Sequence, residues 1–194
     1  MVTPDAKPDR LNAFSDAVFA VIITVLVLDL RPPEAASLAA LVALWPVGVG
    51  YAVSYLFVAI VWVNHHYLLR FAESVRWRLI WTNFAHLFSV SLVPFATAWI
   101  AGTRLAALPV ALYAGIFVLV NATYLLLCWE IVDRPRVAAV PPRARRTMRL
   151  RSLATLGLFA AAALLALAAP IGGMALICFC LVLYLRPEAP GVRS

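Results

Sequence analysis

WPVGVGYAVSYLFVAIVWVNHHYLL, residues 45–69, carries no formally charged side chain between Trp45 and Leu69. An α-helix rises about 1.5 Å per residue and the hydrocarbon core of a bilayer is about 30 Å thick, so about 20 mainly apolar residues cross it. This stretch is long enough, and it makes lipid the expected solvent of the chain. Working outward, five more segments approach the same length and character: 11–28 before it, then 79–100, 105–129, 153–169 and 171–185. The expected fold is therefore all-α, a polytopic membrane protein with six transmembrane helices in one domain over residues 1–194. The last two segments meet at Pro170-Ile171-Gly172-Gly173, which predicts a tight helical hairpin. The Ala-rich stretch from Glu34 to Leu44 suits a short interfacial helix.

Composition agrees with the segments. Of 194 residues, 64% are hydrophobic and 13% charged, and the mean hydropathy is +0.94, far from the balance of a soluble domain. The charged residues cluster between apolar stretches, where loops are expected. A net charge of +7 could suggest nucleic acid, but no basic stripe interleaves with aromatic side chains, so no nucleic-acid partner is expected. Cys128, Cys178 and Cys180 all fall inside apolar segments, without the spacing of a metal site or a disulfide framework. Lys7 and Arg10 precede an apolar run as in a signal peptide, yet no small-residue cleavage site follows. The run is expected to stay as the first helix.

Orientation follows from the basic residues, which are retained on the cytoplasmic side. With an internal N-terminus, the inner segments hold Lys7, Arg10, Arg70, Arg76, Arg78, the seven arginines from Arg134 to Arg151, Arg186 and Arg193. Only Arg31 and Arg104 of the 16 basic residues fall outside. Both termini are thus expected in the cytoplasm, in a multi-pass protein of the inner (plasma) membrane. Arg143-Ala144-Arg145-Arg146 is either a plain topology signal or a contact for anionic headgroups.

Ionisable groups inside a span are costly and mark candidate functional positions. The first helix carries Asp16, roughly 8 Å inside its cytoplasmic end at 1.5 Å per residue. Asn64, His65 and His66 on the second helix lie at a similar depth, as do Asn83 and His86 on the third. A polar layer from three helices is expected there, serving helix packing, a proton-sensitive gate support, or cofactor ligation by His65 or His66. Adjacent histidines point about 100° apart, which argues against ligation, and no cofactor is expected. On the first helix, Ala17, Val21, Thr24, Val25 and Leu28 fall within an arc of about 100°. That stripe is either an ordinary packing face or the wall of a pore on a symmetry axis, where apolar rings gate by dewetting and Thr hydroxyls offer oxygen.

The stretch Arg10-Leu11-Asn12-Ala13-Phe14-Ser15-Asp16 reads R-x-x-x-F-S-D and continues into Ala17-Val18-Phe19-Ala20-Val21-Ile22-Ile23-Thr24-Val25-Leu26-Val27-Leu28. It resembles the signature of the endosomal/lysosomal potassium channels and their prokaryotic homologues. Trp62-Val63-Asn64-His65-His66, Trp81-Thr82-Asn83 and Pro94-Phe95 extend the resemblance over the first three spans. The resemblance implies a six-helix unit whose first helix lines the ion path, assembled as a homotetramer in the lipid bilayer and passing potassium ions. By family position, Val21 matches the apolar constriction, Val25 and Leu28 the further apolar layers, and Thr24 the hydroxyl linked to potassium preference. Val21 is smaller than the Ile or Leu of the family pattern. Arg10, Phe14, Ser15 and Asp16 would support the pore helix through His65 or His66 and Asn83.

Two features of the residues agree with this. No Thr-Val-Gly-Tyr-Gly-like loop offers carbonyl ligands, so selectivity would rest on side-chain rings. One pore-lining helix per chain cannot enclose a path, so a closed cyclic oligomer is required. The alternatives are a proton-coupled secondary transporter built on Asp16 and the histidines, and a membrane haem protein or enzyme using His65, His66 and His86. No inverted repeat or broken-helix pair favours the first, and no H-E-x-x-H, G-x-S-x-G or intramembrane carboxylate pair favours the second.

Overall fold

The computed structural model describes residues 8–134 and 140–184. The expectations placed on Lys7, Arg136, Leu185, Arg186 and Arg193 lie outside the described residues. Among those residues the chain is all-helical, without strands: α1 Asp9–Leu28, α2 Leu38–Ala43, α3 Trp45–Leu69, α4 Trp77–Ser91, α5 Val93–Gly102, α6 Ala107–Cys128, α7 Pro142–Ala168 and α8 Pro170–Tyr184. Five spans have the length and apolar character to cross a membrane: α1, α3, the α4–α5 pair, α6 with its extension, and α7. The sixth apolar helix, α8, has 15 residues, about 22 Å at 1.5 Å per residue, and falls short of a full hydrocarbon core by itself.

Local sequence explains the breaks. The third apolar segment is two helices joined at Leu92, because Pro94 has no N–H and its ring displaces the Val90 carbonyl four residues back. There Leu92 N donates to Ser89 O at 3.4 Å, and α5 resumes with Ala96 N to Leu92 O at 3.2 Å. Helix α5 ends with Arg104 and Leu105 in left-handed backbone, φ 50° and 62°. Leu105 N reaches Ile100 O at 2.9 Å and Arg104 N reaches Ala101 O, the bonding of a Schellman cap, with Leu105 and Ile100 both buried.

The arginine-rich segment is not the loop that its charge suggested. Helix α7 starts at Pro142 and carries Arg143, Arg145, Arg146, Arg149 and Arg151 on its own first turns. Proline suits the first helical position, and Arg and Ala are good helix formers, so the apolar helix continues without a break from this basic N-terminal part. Helix α6 continues into a π-helical turn, Trp129–Asp133, closed by Arg134 N on Trp129 O at 2.9 Å. That turn aims two carboxylates at neighbouring cations. Glu130 accepts from Arg78 of α4 at 2.9 Å and from Arg134 at 3.1 Å, while Asp133 accepts from Arg149 of α7 at 2.9 Å.

Helix α6 is the centre of the bundle, touching α4, α5, α7 and α8. Its Phe117 stacks on Phe57 of α3, centroids 3.5 Å apart, and Phe159 of α7 meets both edge-on. Lipid tails are as apolar as these side chains, so association rests on close packing and interhelical hydrogen bonds more than on the hydrophobic effect. One such chain is fully buried: Tyr113 donates to Ser54 at 2.6 Å, Ser54 to Thr97 at 2.6 Å, and Thr97 to the Val93 carbonyl at 2.7 Å. It ties α3 and α6 to the helix that follows the proline break.

Close packing is tightest between α7 and α8. A Cβ on Gly173 would lie 2.7 Å from Ala166 Cβ and 2.9 Å from Ala162 O, so only glycine permits the approach. Ala162 and Ala166 are themselves fully buried. Gly173→Ala is expected to lower thermal stability in detergent by about 1–3 kcal/mol, the usual cost of overpacking. Gly172→Ala, whose Cβ would meet only ordinary 3.6 Å contacts, should melt like the parent. Equal melting of the two variants would contradict the packing described here.

Candidate functional site

Helix α1 is apolar on all sides, yet its two faces differ. Ser15, Phe19, Ile22 and Leu26 are buried against the bundle. Ala17, Val21, Thr24, Val25 and Leu28, the stripe singled out from spacing, are all exposed on the subunit. Val21 is 59% and Leu28 76% accessible, against 1% for Phe19 and Leu26. The buried turns carry Phe19, Ile22 and Leu26, while the exposed stripe is Ala, Val and Thr up to Leu28 at its end. Thr24 Oγ1 donates to the Val21 carbonyl at 2.8 Å, so its one proton is spent within the helix and its lone pairs remain as acceptors.

The inner end of α1 is held by a directional chain of buried hydrogen bonds. Ser15 Oγ donates to the Leu11 carbonyl at 2.8 Å, and Asn83 Nδ2 donates to Ser15 Oγ at 3.0 Å. The remaining Asn83 oxygen lies 2.7 Å from His65 Nε2, which must therefore be the donor. The chain links α1, α4 and α3, and Ser15, Asn83 and His65 have no solvent access.

His86 extends the layer. Its Nδ1 lies 3.0 Å from Thr123 Oγ1, whose proton goes to backbone carbonyls of α6, so this imidazole too is a donor. The two rings are parallel, with centroids 5.6 Å apart and planes inclined by 6°. His65 Nδ1 and His86 Nε2 are left as buried acceptors without a partner among the described residues.

Asp16 stands apart from this chain. It accepts from Trp62 Nε1 at 2.8 Å and lies 4.0 Å from His66 Nδ1, with its side chain 38% exposed. Phe14 packs on Phe84, centroids 5.5 Å apart. Arg10 is exposed and forms no ion pair among the described residues. Of the residues expected in the polar support, Ser15, His65 and Asn83 thus share one buried chain, Asp16 and His66 form its partly exposed flank, and Phe14 and Arg10 lie beside it. Sequence reasoning gave Trp62 no role as a partner of Asp16, although Trp62 and His66 are four residues apart on one helical face. It also missed Thr123, a neutral hydroxyl in an otherwise largely apolar segment. No group of three His, Cys, Asp or Glu side chains converges as metal ligands among the described residues.

This geometry matches known proteins. A family model described as endosomal/lysosomal potassium channel TMEM175 matches residues 10–94. A potassium channel of Streptomyces collinus is 35% identical over 161 residues, covering 76% of this chain and 77% of that protein. One from a Chryseobacterium species is 40% identical over 125 residues, covering 64% of this chain and 65% of the relative's length. The fold superposes on the crystal structure of a lysosomal potassium-selective channel TMEM175 homolog from Chamaesiphon minutus with a TM-score of 0.82. That match has 25% identity and covers 91% of this chain and 95% of the other. These relatives are potassium channels and not enzymes. The chain belongs to the TMEM175 potassium channel family.

Proposed function

We propose that this chain is one subunit of a potassium-preferring channel in the plasma membrane, with its ion path lined by α1. Four copies surround the axis as a homotetramer, both termini face the cytoplasm, and residues 1–194 act as a single transmembrane domain. Val21, Val25 and Leu28 form successive apolar rings that seal the path by dewetting, and the Thr24 ring presents hydroxyl oxygens to the ion. Arg10, Phe14, Ser15, Asp16, His65, His66 and Asn83 hold α1 in register.

The observation that carries this reading is the division of α1. Phe19, Ile22 and Leu26 are buried in the bundle, while a charge-free stripe with one hydroxyl, from Ala17 to Leu28, is left uncovered on the subunit. The names of its relatives as potassium channels point the same way. The stripe offers no carbonyl filter and no charged ring, so ion preference would be moderate and would rest on Thr24. Purified protein in liposomes should release trapped potassium faster than sodium, down its gradient and without a coupled ion. Uptake that needs a proton gradient would support transport instead, and no flux at all would remove the channel reading.

A further inference from the structure

A second uncovered feature borders α1. Trp77, Trp81, Phe84 and Phe88 recur along one side of α4, and Phe95 continues the row on α5. At 100° per residue the four on α4 fall within an arc of about 60°, which makes a single aromatic ridge. Each of the five is at least 42% exposed, whereas the large exposed apolar side chains of α6 and α7 are leucines. Leucine is an ordinary neighbour for lipid tails, while aromatic side chains are enriched where proteins meet. Trp77 and Trp81 also suit headgroup level, but Phe88 and Phe95 lie deeper in the span.

The ridge and the outer side of α3 lie on opposite edges of the uncovered arc of α1. Phe14, at one edge, packs on Phe84 of α4, and Asp16, at the other, accepts from Trp62 of α3. Outward from Trp62, the same side of α3 carries Ala59, Tyr55, Ala52 and Gly48. A Cβ on Gly48 would meet no atom within 4 Å, so this face is open. Broken only by Tyr55, its small residues make a shallow groove of the kind that lets helices approach closely in a membrane. Depth matches as well. Outward from the His65–Asn83 hydrogen bond at 1.5 Å per residue, Ala59 lies about 9 Å along α3 and Phe88 about 8 Å along α4, and Ala52 and Phe95 follow at about 20 and 18 Å.

We propose that in the assembled channel the aromatic ridge docks into the α3 groove of the next copy of this chain, with Phe88 beside Ala59 and Phe95 beside Ala52. This rests on α1 lining the ion path. A ring about one axis joins two different faces of each subunit, head to tail, and an axis along the membrane normal leaves depth unchanged. With the uncovered arc of α1 turned to that axis, the faces at its two edges are the ones that meet.

Cysteine cross-linking in membrane vesicles tests the docking, in full-length protein with Cys128, Cys178 and Cys180 replaced by Ala. Ala59→Cys with Phe88→Cys in one chain, oxidised with copper phenanthroline, should give a ladder of covalent dimers, trimers and tetramers on denaturing gels. Phe88→Cys alone, and Phe88→Cys with Leu164→Cys on the leucine face of α7, should run as monomers. Independently, Ala52→Trp fills the groove without touching a buried residue and should reduce the oligomer recovered in detergent severalfold, whereas Leu164→Trp should leave it near the parent value. A ladder from Phe88→Cys alone, no ladder from the Ala59–Phe88 pair, or an undiminished oligomer from Ala52→Trp would each overturn the docking. Potassium release from liposomes by the reduced pair variant separates the two readings: with flux and no ladder, the docking fails and the α1 path stands. Absence of flux from the parent protein would remove both.

Discussion

Asn83→Leu should be the most damaging single substitution in the polar layer, lowering stability by about 2–5 kcal/mol and with it the yield of folded oligomer. Among the described residues Asn83 is the link between Ser15 and His65, so its loss breaks two hydrogen bonds and strands the His65 Nε2–H. Interhelical hydrogen bonds in membranes average only about 0.6 kcal/mol when measured pairwise, because the separated helices also find partners. The larger figure comes from a donor orphaned in a packed interior, not from the bonds themselves. A variant that also carries Ser15→Ala and His65→Leu removes the stranded groups and should recover part of the loss. Asp16→Ala should cost less, since Asp16 is partly exposed and its removal frees one indole N–H at the flank. Melting temperature and elution as an oligomer report both effects. An Asn83→Leu protein that melts with the parent would show that the chain does not hold α1.

The second large effect lies on the other face of α1. In a fourfold assembly every substitution is made four times around the path, so small chemical changes act on a whole circumference. Thr24→Val keeps shape and removes all four hydroxyls, and potassium preference over sodium should fall severalfold. The Thr24 proton is already donated to Val21 O, so the substitution removes ion-facing acceptors without orphaning a buried group, and the bundle should stay folded. Val21→Ala widens an apolar ring and should raise conductance or leak by easing its wetting. The appropriate comparison is Val27, exposed on a neighbouring arc about 240° from Val21. Phe19 cannot serve, because at 1% exposure its truncation would damage the core instead. Permeability ratios and single-channel currents in planar bilayers check all three positions.

Much of the fold was legible because lipid imposes a simple rule: apolar length announces a span. Residues 45–69 were expected as one helix, and α3 has those bounds. Breaks and extensions were harder, since hydropathy reads side chains and not backbone satisfaction. Pro94 splits a continuous apolar run, and α7 runs on into its arginines because helix propensity does not stop where the membrane does. At the candidate site, depth along the helices placed Asp16, Asn64, His65, His66, Asn83 and His86 in one layer, but which groups pair depends on rotation about each axis. Asp16 drew attention by its charge and lies with His66 on the partly exposed flank. Ser15, a residue too small and neutral to stand out, is the buried one. The two faces of α1 gave little hydropathy contrast because both are largely apolar: Phe19, Ile22 and Leu26 lie inward, and Ala17, Val21, Thr24, Val25 and Leu28 outward.

On the proposed reading, the uncovered stripe of α1 meets water and ions, not lipid or a packed neighbour. Thiolate reacts with charged, water-borne thiosulfonate reagents, and a cysteine held in hydrocarbon stays protonated and unreactive. Currents through Val21→Cys channels should therefore be blocked on exposure to such a reagent, with the parent and Val27→Cys unaffected despite the native Cys128, Cys178 and Cys180. Persistent, unmodified current through Val21→Cys under the same exposure would contradict the assignment of α1 to the ion path.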